Sequence, residues 1–175
     1  MRVIAASSPQ GGLVGDFFCG SGTGLVAAER LGRSWIGCDA HPLAISTTHR
    51  RLLLEANGRP YLLETSALRA NSELEVCVSV EAEGECISLR LHGVRTGPAD
   101  SPELEPVEMW EADWDYDGRL FRSRAQAVRT WRSDELTERL VIRRPPNRRT
   151  RVAVRAHDRQ GRMGTTVLDE AAPTP

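Results

Sequence analysis

The sequence predicts an α/β unit followed by an all-β antiparallel sandwich, because the spacing of its apolar residues changes near residue 70. Before residue 55, short apolar runs alternate with helix-like stretches, and a glycine-rich turn joins the first run to the first helix. After residue 70, apolar residues recur at every second position, as in strands with one buried face. We therefore predict two domains, residues 1–65 and residues 70–170.

The first domain is predicted to have the order strand, helix, strand, helix. Residues 13–18 are a short apolar run that ends in glycines, and residues 22–31 have helical spacing. Residues 34–38 form a second apolar run, and residues 42–54 form a second helix with a proline at its first position. A strand that feeds a helix and returns to a parallel neighbour is how a doubly wound nucleotide-binding sheet begins.

The second domain is predicted to be a small antiparallel sandwich. Its strands are expected at residues 74–80, 86–91, 151–156 and 163–168, with a loop at residues 96–106. Between them, aromatic and acidic side chains alternate from Trp110 to Asp117, and Asp117-Gly118 is predicted to be a two-residue hairpin turn. That turn pairs Tyr116 with Arg119, and the later pairs include Trp114 with Phe121, Asp113 with Arg122, and Glu111 with Arg124, which favour this register. Asp115 opposite Leu120 is a mismatch.

Composition excludes several classes of protein. The chain has 175 residues, 40% of them hydrophobic, and a formal net charge of −1, so it has no global attraction to nucleic acid or to a membrane. It has no apolar run of about 18 residues and no signal peptide, which predicts a cytoplasmic protein without a membrane partner. Residues 139–162 contain nine Arg and one Asp. These arginines either contact DNA phosphates or offset the acidic stretch at residues 100–117, and the sequence leaves both readings open.

No metal site is predicted. The four cysteines show no Cys-x-x-Cys spacing, so reduced thiols are expected. Asp113, Asp115 and Asp117 match the first half of a calcium loop, but its twelfth position is Arg124 instead of a bidentate glutamate. We therefore interpret these aspartates as the rim of a hairpin.

The glycine-rich turn carries the strongest chemical signal. Gly20 and Gly22 have no side chain to block a ligand from the backbone, and the next helix points its amide end at the same place. Asp39 is expected at the tip of the second strand, where its carboxylate can accept hydrogen bonds from ribose hydroxyls. A dinucleotide site would need Gly or Ala at position 25, which is Leu25. Asp16, just before the turn, suits a cationic amino acid group better than a pyrophosphate.

These residues resemble a known family. Val-Gly-Asp-Phe-Phe-Cys-Gly-Ser-Gly-Thr at 14–23, Leu-Val-Ala-Ala-Glu-Arg-Leu-Gly-Arg at 25–33, Trp-Ile-Gly-Cys-Asp at 35–39 and the His-Pro helix start resemble the cofactor half of DNA adenine-N6 and cytosine-N4 methyltransferases. The resemblance covers roughly residues 1–55. It implies a partial Rossmann-like methyltransferase unit that binds S-adenosylmethionine and acts on DNA.

The resemblance also assigns site residues. It places the methionine end of the cofactor at Asp16, Phe18, Cys19, Gly20, Ser21, Gly22 and Thr23, and the ribose at Asp39. Ser7 and Ser8, in the segment before the turn, are weaker candidates. The chain departs from the family at Phe17, where Pro is usual, and at Gly24, where Thr is usual.

The catalytic motif of that family is not found in these 175 residues. The motif is Asp/Asn/Ser-Pro-Pro-aromatic, and it holds the amino group of a flipped base. The one Pro-Pro pair, at residues 145–146, is preceded by Arg144 and followed by Asn147, so no catalytic residue is assigned. We expect a truncated gene product, a fragment, or one subunit of a split enzyme whose catalytic half is a separate chain, and no methyl transfer by this chain alone.

Two alternatives to a partial DNA methyltransferase remain. The sandwich, which weakly resembles immunoglobulin-like and PKD-type modules, would be the working part of a non-catalytic binding protein with a vestigial cofactor unit. Otherwise the chain would belong to a methyltransferase with a substrate other than DNA, because a cofactor turn does not name the acceptor. The sequence also leaves adenine and cytosine open as targets.

Overall fold

A computed structural model of the protein describes residues 2–56, 59–64, 74–83, 86–130, 133–143 and 151–169. The chain divides into two compact units, residues 1–67 and residues 68–175. None of the helices within the described ranges is both long and apolar enough to cross a membrane. The elements in chain order are α1 Arg2–Ser7, β1 Leu13–Asp16, α2 Thr23–Arg30, β2 Ser34–Gly37, α3 Pro42–Glu55, β3 Glu75–Glu83, β4 Cys86–Arg95, β5 Val107–Asp113, β6 Ala125–Val128, β7 Arg139–Arg143, β8 Arg151–Asp158 and β9 Met163–Asp169.

The N-terminal unit is built on a parallel pair of strands, β1 and β2, with Asp16 opposite Gly37 at one end. Helix α2 buries Leu25 against this sheet, and Gly37 makes room because a Cβ there would collide with the Leu25 side chain. His41 caps α3, since its Nδ1 accepts the Leu43 amide at 3.2 Å. From β1 onward, the observed order is the strand, helix, strand, helix that the periodicity predicts. Helix α1 precedes it and is not anticipated by the sequence analysis.

Within the described residues, one face of the β1–β2 sheet is largely exposed. Leu13 and Ile36 are 64% and 53% exposed, although each lies within a strand. The ring of Phe17 lies over this face, 3.5 Å from the position that a Cβ on Gly15 would take. Parallel strands are usually buried on both faces. The face that carries Leu13 and Ile36 is therefore an exposed apolar surface of the N-terminal unit.

A buried carboxylate, Glu29, ties the end of α2 to the segment that follows α3. Arg59 donates to both Glu29 oxygens at 2.7 Å, and the Trp35 indole donates at 2.9 Å. The Arg59 hydrogen bonds lower the pKa of Glu29 more than any other cause, while burial opposes them. Glu29 is thus held as a carboxylate.

We expect Glu29→Gln to destabilise the N-terminal unit at pH 7 by about 1–3 kcal/mol, because hydrogen bonds to a charged group are lost. The folded pKa of Glu29 lies below its unfolded value. This stabilisation is therefore complete above about pH 4.3 and is lost as the pH falls through the folded pKa. Hydrogen–deuterium exchange of α2 peptides at several pH values measures it. A gap between wild type and variant that stays constant down to pH 3 would contradict the assignment.

Two antiparallel sheets make up the C-terminal unit, with the strand orders β3-β4-β7 and β6-β5-β8-β9. They share one hydrophobic core, to which the first sheet contributes Leu89 and Ile142 and the second contributes Trp110 and Val154. The Trp110 indole donates to the carbonyl of Thr137 at 2.7 Å. The strands predicted at residues 74–80, 86–91, 151–156 and 163–168 are present as β3, β4, β8 and β9, and β7 is an additional strand. The sequence pattern does not indicate β7, because its short apolar run is bracketed by arginines.

The predicted hairpin register is wrong. No two-residue turn joins β5 to β6; residues 114–124 form a longer connection. Glu111 pairs with Gln126 instead of Arg124, a shift of two residues. The other two predicted pairs do not form within a ladder: the Phe121 ring centroid lies 6.5 Å from that of Tyr116, and Arg122 contacts Asp113 through its backbone amide at 2.8 Å.

Side-chain capping explains the longer connection. One oxygen of Asp117 accepts the amides of Arg119 and Leu120, at 2.8 and 2.9 Å, which forms a local turn that competes with a hairpin ladder. The Tyr116 amide donates to the carbonyl of Arg151, so the chain there follows β8 instead of returning beside β5. Backbone amides also lower the pKa of Asp117, chiefly that of Leu120. The aspartates therefore organise the connection itself.

The acidic side of β5 is buried. Glu111 and Asp113 are 1% and 0% exposed, on the side of the strand away from the shared core. The connection folds back over them: Ser123 donates its hydroxyl to Glu111 at 3.0 Å, and Arg124 forms an ion pair with Asp113 at 3.4 Å. The alternation of aromatic and acidic residues indicated two faces, but it did not indicate that both would be covered.

Two arginines of the basic segment, Arg159 and Arg162, are paired with acids. Arg159 forms ion pairs with Glu105, Glu108 and Asp134, and Arg162 forms one with Asp158 at 2.7 Å. These contacts favour the reading in which the arginines offset the acidic residues of the same unit. Arg144, Arg148 and Arg149 lie outside the described residues.

Candidate functional site

The glycine turn lies between β1 and α2, at the carboxyl ends of both parallel strands. The Cys38 amide donates to the carbonyl of Asp16 at 3.0 Å, and the Cys19 amide donates to the carbonyl of Cys38 at 3.1 Å. The turn therefore begins as an extension of the β1–β2 ladder. Gly20 and Gly22 then take φ values of +52° and +72°, which residues other than glycine rarely adopt.

Asp39 binds the turn directly. One of its oxygens accepts the amide of Gly20 and the other accepts the amide of His41, both at 2.9 Å. These amides, first that of His41 and then that of Gly20, lower the pKa of Asp39. The group is therefore a carboxylate at neutral pH, and each oxygen keeps a lone pair for a further donor such as a hydroxyl.

Asp16 occupies the end of β1, beside the start of α2. One of its oxygens accepts the Phe18 amide at 3.3 Å. The other lies 2.8 Å from the position that a Cβ on Gly24 would take. Gly24 thus gives the carboxylate its place against the first turn of α2, where the amide end of the helix favours negative charge. Where the family that the sequence resembles usually has Thr, the absence of a side chain at Gly24 leaves space for the Asp16 carboxylate.

Phe18 and Cys19 point to opposite sides of the turn. Phe18 is 92% exposed, so its ring is free to contact a ligand. Cys19 is 7% exposed, and burial is the largest cause that raises the pKa of its thiol. Cys19 is thus a buried thiol under the turn, whereas Phe18 lies on its outer surface.

Ser21 and Thr23 are held by Arg51, a residue that the sequence analysis did not single out. Arg51 donates to the carbonyl of Ser21 and to the hydroxyl of Thr23, both at 2.9 Å. Glu55, one turn further along α3, anchors Arg51 at 2.8 Å, and this hydrogen bond is the largest cause that lowers the pKa of Glu55. The sequence shows only that Arg51 is one of several polar residues on α3, which does not distinguish it from the others.

The two weaker candidates have local partners. Ser7 and Ser8 donate their hydroxyls to the carbonyls of Val3 and Ile4, at 2.7 and 2.6 Å. Arg33 donates to the Ser8 carbonyl at 3.0 Å. These contacts join the end of α1 to the start of β2 and do not bring either serine to the glycine turn.

Comparison with known proteins finds DNA methylases and type II methyltransferases. A family model described as DNA methylase matches residues 1–50. Similar proteins include the type II methyltransferase M.EcaI of Enterobacter cloacae, 37% identical over 86 residues, which are 49% of this chain and 19% of that protein. M1.MboII of Moraxella bovis is 55% identical over 38 residues, 22% of this chain and 15% of that protein. M2.DpnII of Streptococcus pneumoniae is 44% identical over 54 residues, 31% of this chain and 20% of that protein.

The chain spans a fifth or less of the length of these curated relatives. No solved structure matches it. Residues 1–50 are therefore similar to DNA methylases.

Proposed function

We propose that residues 1–65 bind S-adenosylmethionine as the cofactor half of a DNA amino-methyltransferase, and that residues 70–170 are an immunoglobulin-like sandwich joined to it. The observation that carries the proposal is the turn in which Asp39 accepts the Gly20 amide at the carboxyl ends of two parallel strands. Ligands of open parallel sheets bind at such ends. The match of residues 1–50 to DNA methylase supports DNA as the substrate.

The residues of the turn suit this cofactor. Among the described residues, only the immediate neighbours of Gly20 lie within 4 Å of the position that a Cβ on it would take, so a ligand can approach the backbone there. Asp39 offers carboxylate lone pairs to the two ribose hydroxyls. Asp16 offers negative charge to the ammonium group of the methionine end. A pyrophosphate at the turn would be repelled by the Asp16 carboxylate.

S-adenosylmethionine carries its methyl group on a positively charged sulfur, which makes that methyl reactive towards an amino group. The residues of this chain bind and orient the molecule: Asp39 at the ribose, Asp16 at the ammonium, and the exposed ring of Phe18 at the side of the ligand. The motif that holds the amino group of adenine or cytosine comes, in this proposal, from polypeptide other than these 175 residues, in the same protein or in a separate chain.

We expect isothermal titration calorimetry to detect binding of S-adenosylmethionine to the protein, and Asp39→Asn to weaken it by about 10- to 100-fold. The amide of an Asn side chain has one acceptor oxygen, which cannot serve His41 and Gly20 together with the ribose. NAD, with its pyrophosphate, should give no heat.

Asp100→Asn is the matched control, because Asp100 is an exposed aspartate of the C-terminal unit that accepts the Thr96 hydroxyl at 3.3 Å. Its affinity for the cofactor should equal that of the wild type. Absence of heat from the folded wild-type protein would refute the proposal. It would favour the alternative in which the C-terminal unit, with its own complete core, is a non-catalytic binding module beside a vestigial cofactor unit.

A further inference from the structure

Thr48 lies beneath the glycine turn. It belongs to α3, is 6% exposed, and comes 28 residues after Gly20 in the chain. Its hydroxyl donates to the carbonyl of Gly20 at 3.0 Å. Threonine hydroxyls inside helices commonly bond to the carbonyl one turn back in the same helix. Thr48 bonds instead to the turn that precedes α2.

The same side chain contacts two more residues of the turn. A Cβ on Gly22 would lie 2.6 Å from the Thr48 hydroxyl and 2.7 Å from its methyl group, so the backbone of Gly22 rests directly on Thr48. The Cys19 sulfur lies 3.9 Å from the hydroxyl. Since the Thr48 proton is directed to Gly20, the buried Cys19 thiol is the donor in that contact. One side chain thus supports Cys19, Gly20 and Gly22.

We propose that Thr48 is a positioning residue of the cofactor turn, which holds the Gly20 carbonyl while Asp39 holds the Gly20 amide. The two contacts hold the Gly20 backbone on both sides of its Cα, at 3.0 and 2.9 Å. The inference rests on the proposed function for its effect on the cofactor. Its effect on the order of the turn is independent of any ligand.

The physical reason is the freedom of glycine. Gly20 and Gly22 have positive φ values that, without restraint, exchange readily with negative ones. A turn that is ordered before the ligand arrives does not lose that freedom on binding, which raises affinity. Loss of one neutral hydrogen bond corresponds to about a 3- to 10-fold weakening.

The test compares Thr48→Val, which keeps the shape and removes the hydroxyl, with Thr48→Ser, which keeps the hydroxyl. Thr47→Val, at the preceding position of the same helix, is the control for the change in side-chain type. Amide order parameters of Gly20 and Gly22 are measured by NMR relaxation in ligand-free protein, and S-adenosylmethionine affinity is measured by calorimetry. Thermal unfolding of all three variants checks that the fold is retained.

We expect Thr48→Val to lower the order parameters of Gly20 and Gly22 from the rigid value of about 0.85 and to weaken cofactor binding about 3- to 10-fold. Thr48→Ser should restore both, and Thr47→Val should change neither. Unchanged order in Thr48→Val would overturn the inference, and so would lost order with unchanged affinity. If the wild type binds no cofactor, the proposed function fails, and the order parameters still decide whether Thr48 holds the turn.

Discussion

Replacement of Gly22 by alanine is expected to destabilise the N-terminal unit by about 2–5 kcal/mol, from two additive causes. The φ of +72° costs an L-residue about 1–2 kcal/mol. The new Cβ would lie 2.6 Å from the buried hydroxyl of Thr48, and such overpacking costs about 1–3 kcal/mol. Hydrogen–deuterium exchange of peptides from α2 and α3 measures the change in this unit alone.

Gly32→Ala separates the two causes. Gly32 has nearly the same φ, +71°, but a Cβ there meets no described atom within 4 Å apart from its chain neighbours. This variant should therefore show only the conformational cost, about 1–2 kcal/mol. Equal destabilisation by the two alanines would contradict the close packing of Gly22 on Thr48. Cofactor binding should be lost in Gly22→Ala and kept in Gly32→Ala.

Trp110→Ala is expected to destabilise the C-terminal unit by about 3–5 kcal/mol, because a fully buried indole leaves a large cavity. Its contacts join the two sheets through the shared core, and its Nε1 donates to Thr137. Exchange of amides in β5 and β8, at the centre of the four-stranded sheet, reports the loss.

Trp110→Phe keeps most of the ring volume and removes the hydrogen bond to Thr137, so it should cost less than the alanine variant. Leu120→Ala is the surface control, because Leu120 is 43% exposed and lies in the connection after β5. A loss in Trp110→Ala no larger than that of Leu120→Ala would refute the central place of Trp110 in the core.

The candidate site could be predicted in part because its backbone signals are local. The run of residues from Asp16 to Thr23 contains both the strand end and the glycines, and the second apolar run places Asp39 at the adjacent strand end. Parallel pairing of β1 with β2 then brings Asp39 to Gly20. Thr48 and Arg51 lie about 30 residues away, and no local pattern distinguishes them from the other polar residues of α3.

The hairpin after β5 shows the opposite outcome. The predicted ion pairs and aromatic pair both favoured a two-residue turn at Asp117-Gly118. They take no account of hydrogen bonds between these side chains and backbone amides. Asp117 caps two amides of its own loop, and Tyr116 bonds to β8, which is distant in sequence. Contacts within the loop and across the sheet outweighed the cross-strand pairs, each of which is worth about 0.2–1 kcal/mol.

The sequence by itself determined the order of the main elements, the change from helical to strand periodicity, and the position of the glycine turn. These features depend on residues that are neighbours in the chain. Only the tertiary structure decided the register of β5 with β6, the burial of Glu111 and Asp113, and the place of Thr48 beneath Gly20 and Gly22. The burial of the two acids and the place of Thr48 depend on which distant atoms satisfy a buried polar group, and close packing allows few such arrangements. The register depends in addition on the turn that Asp117 caps within its own loop.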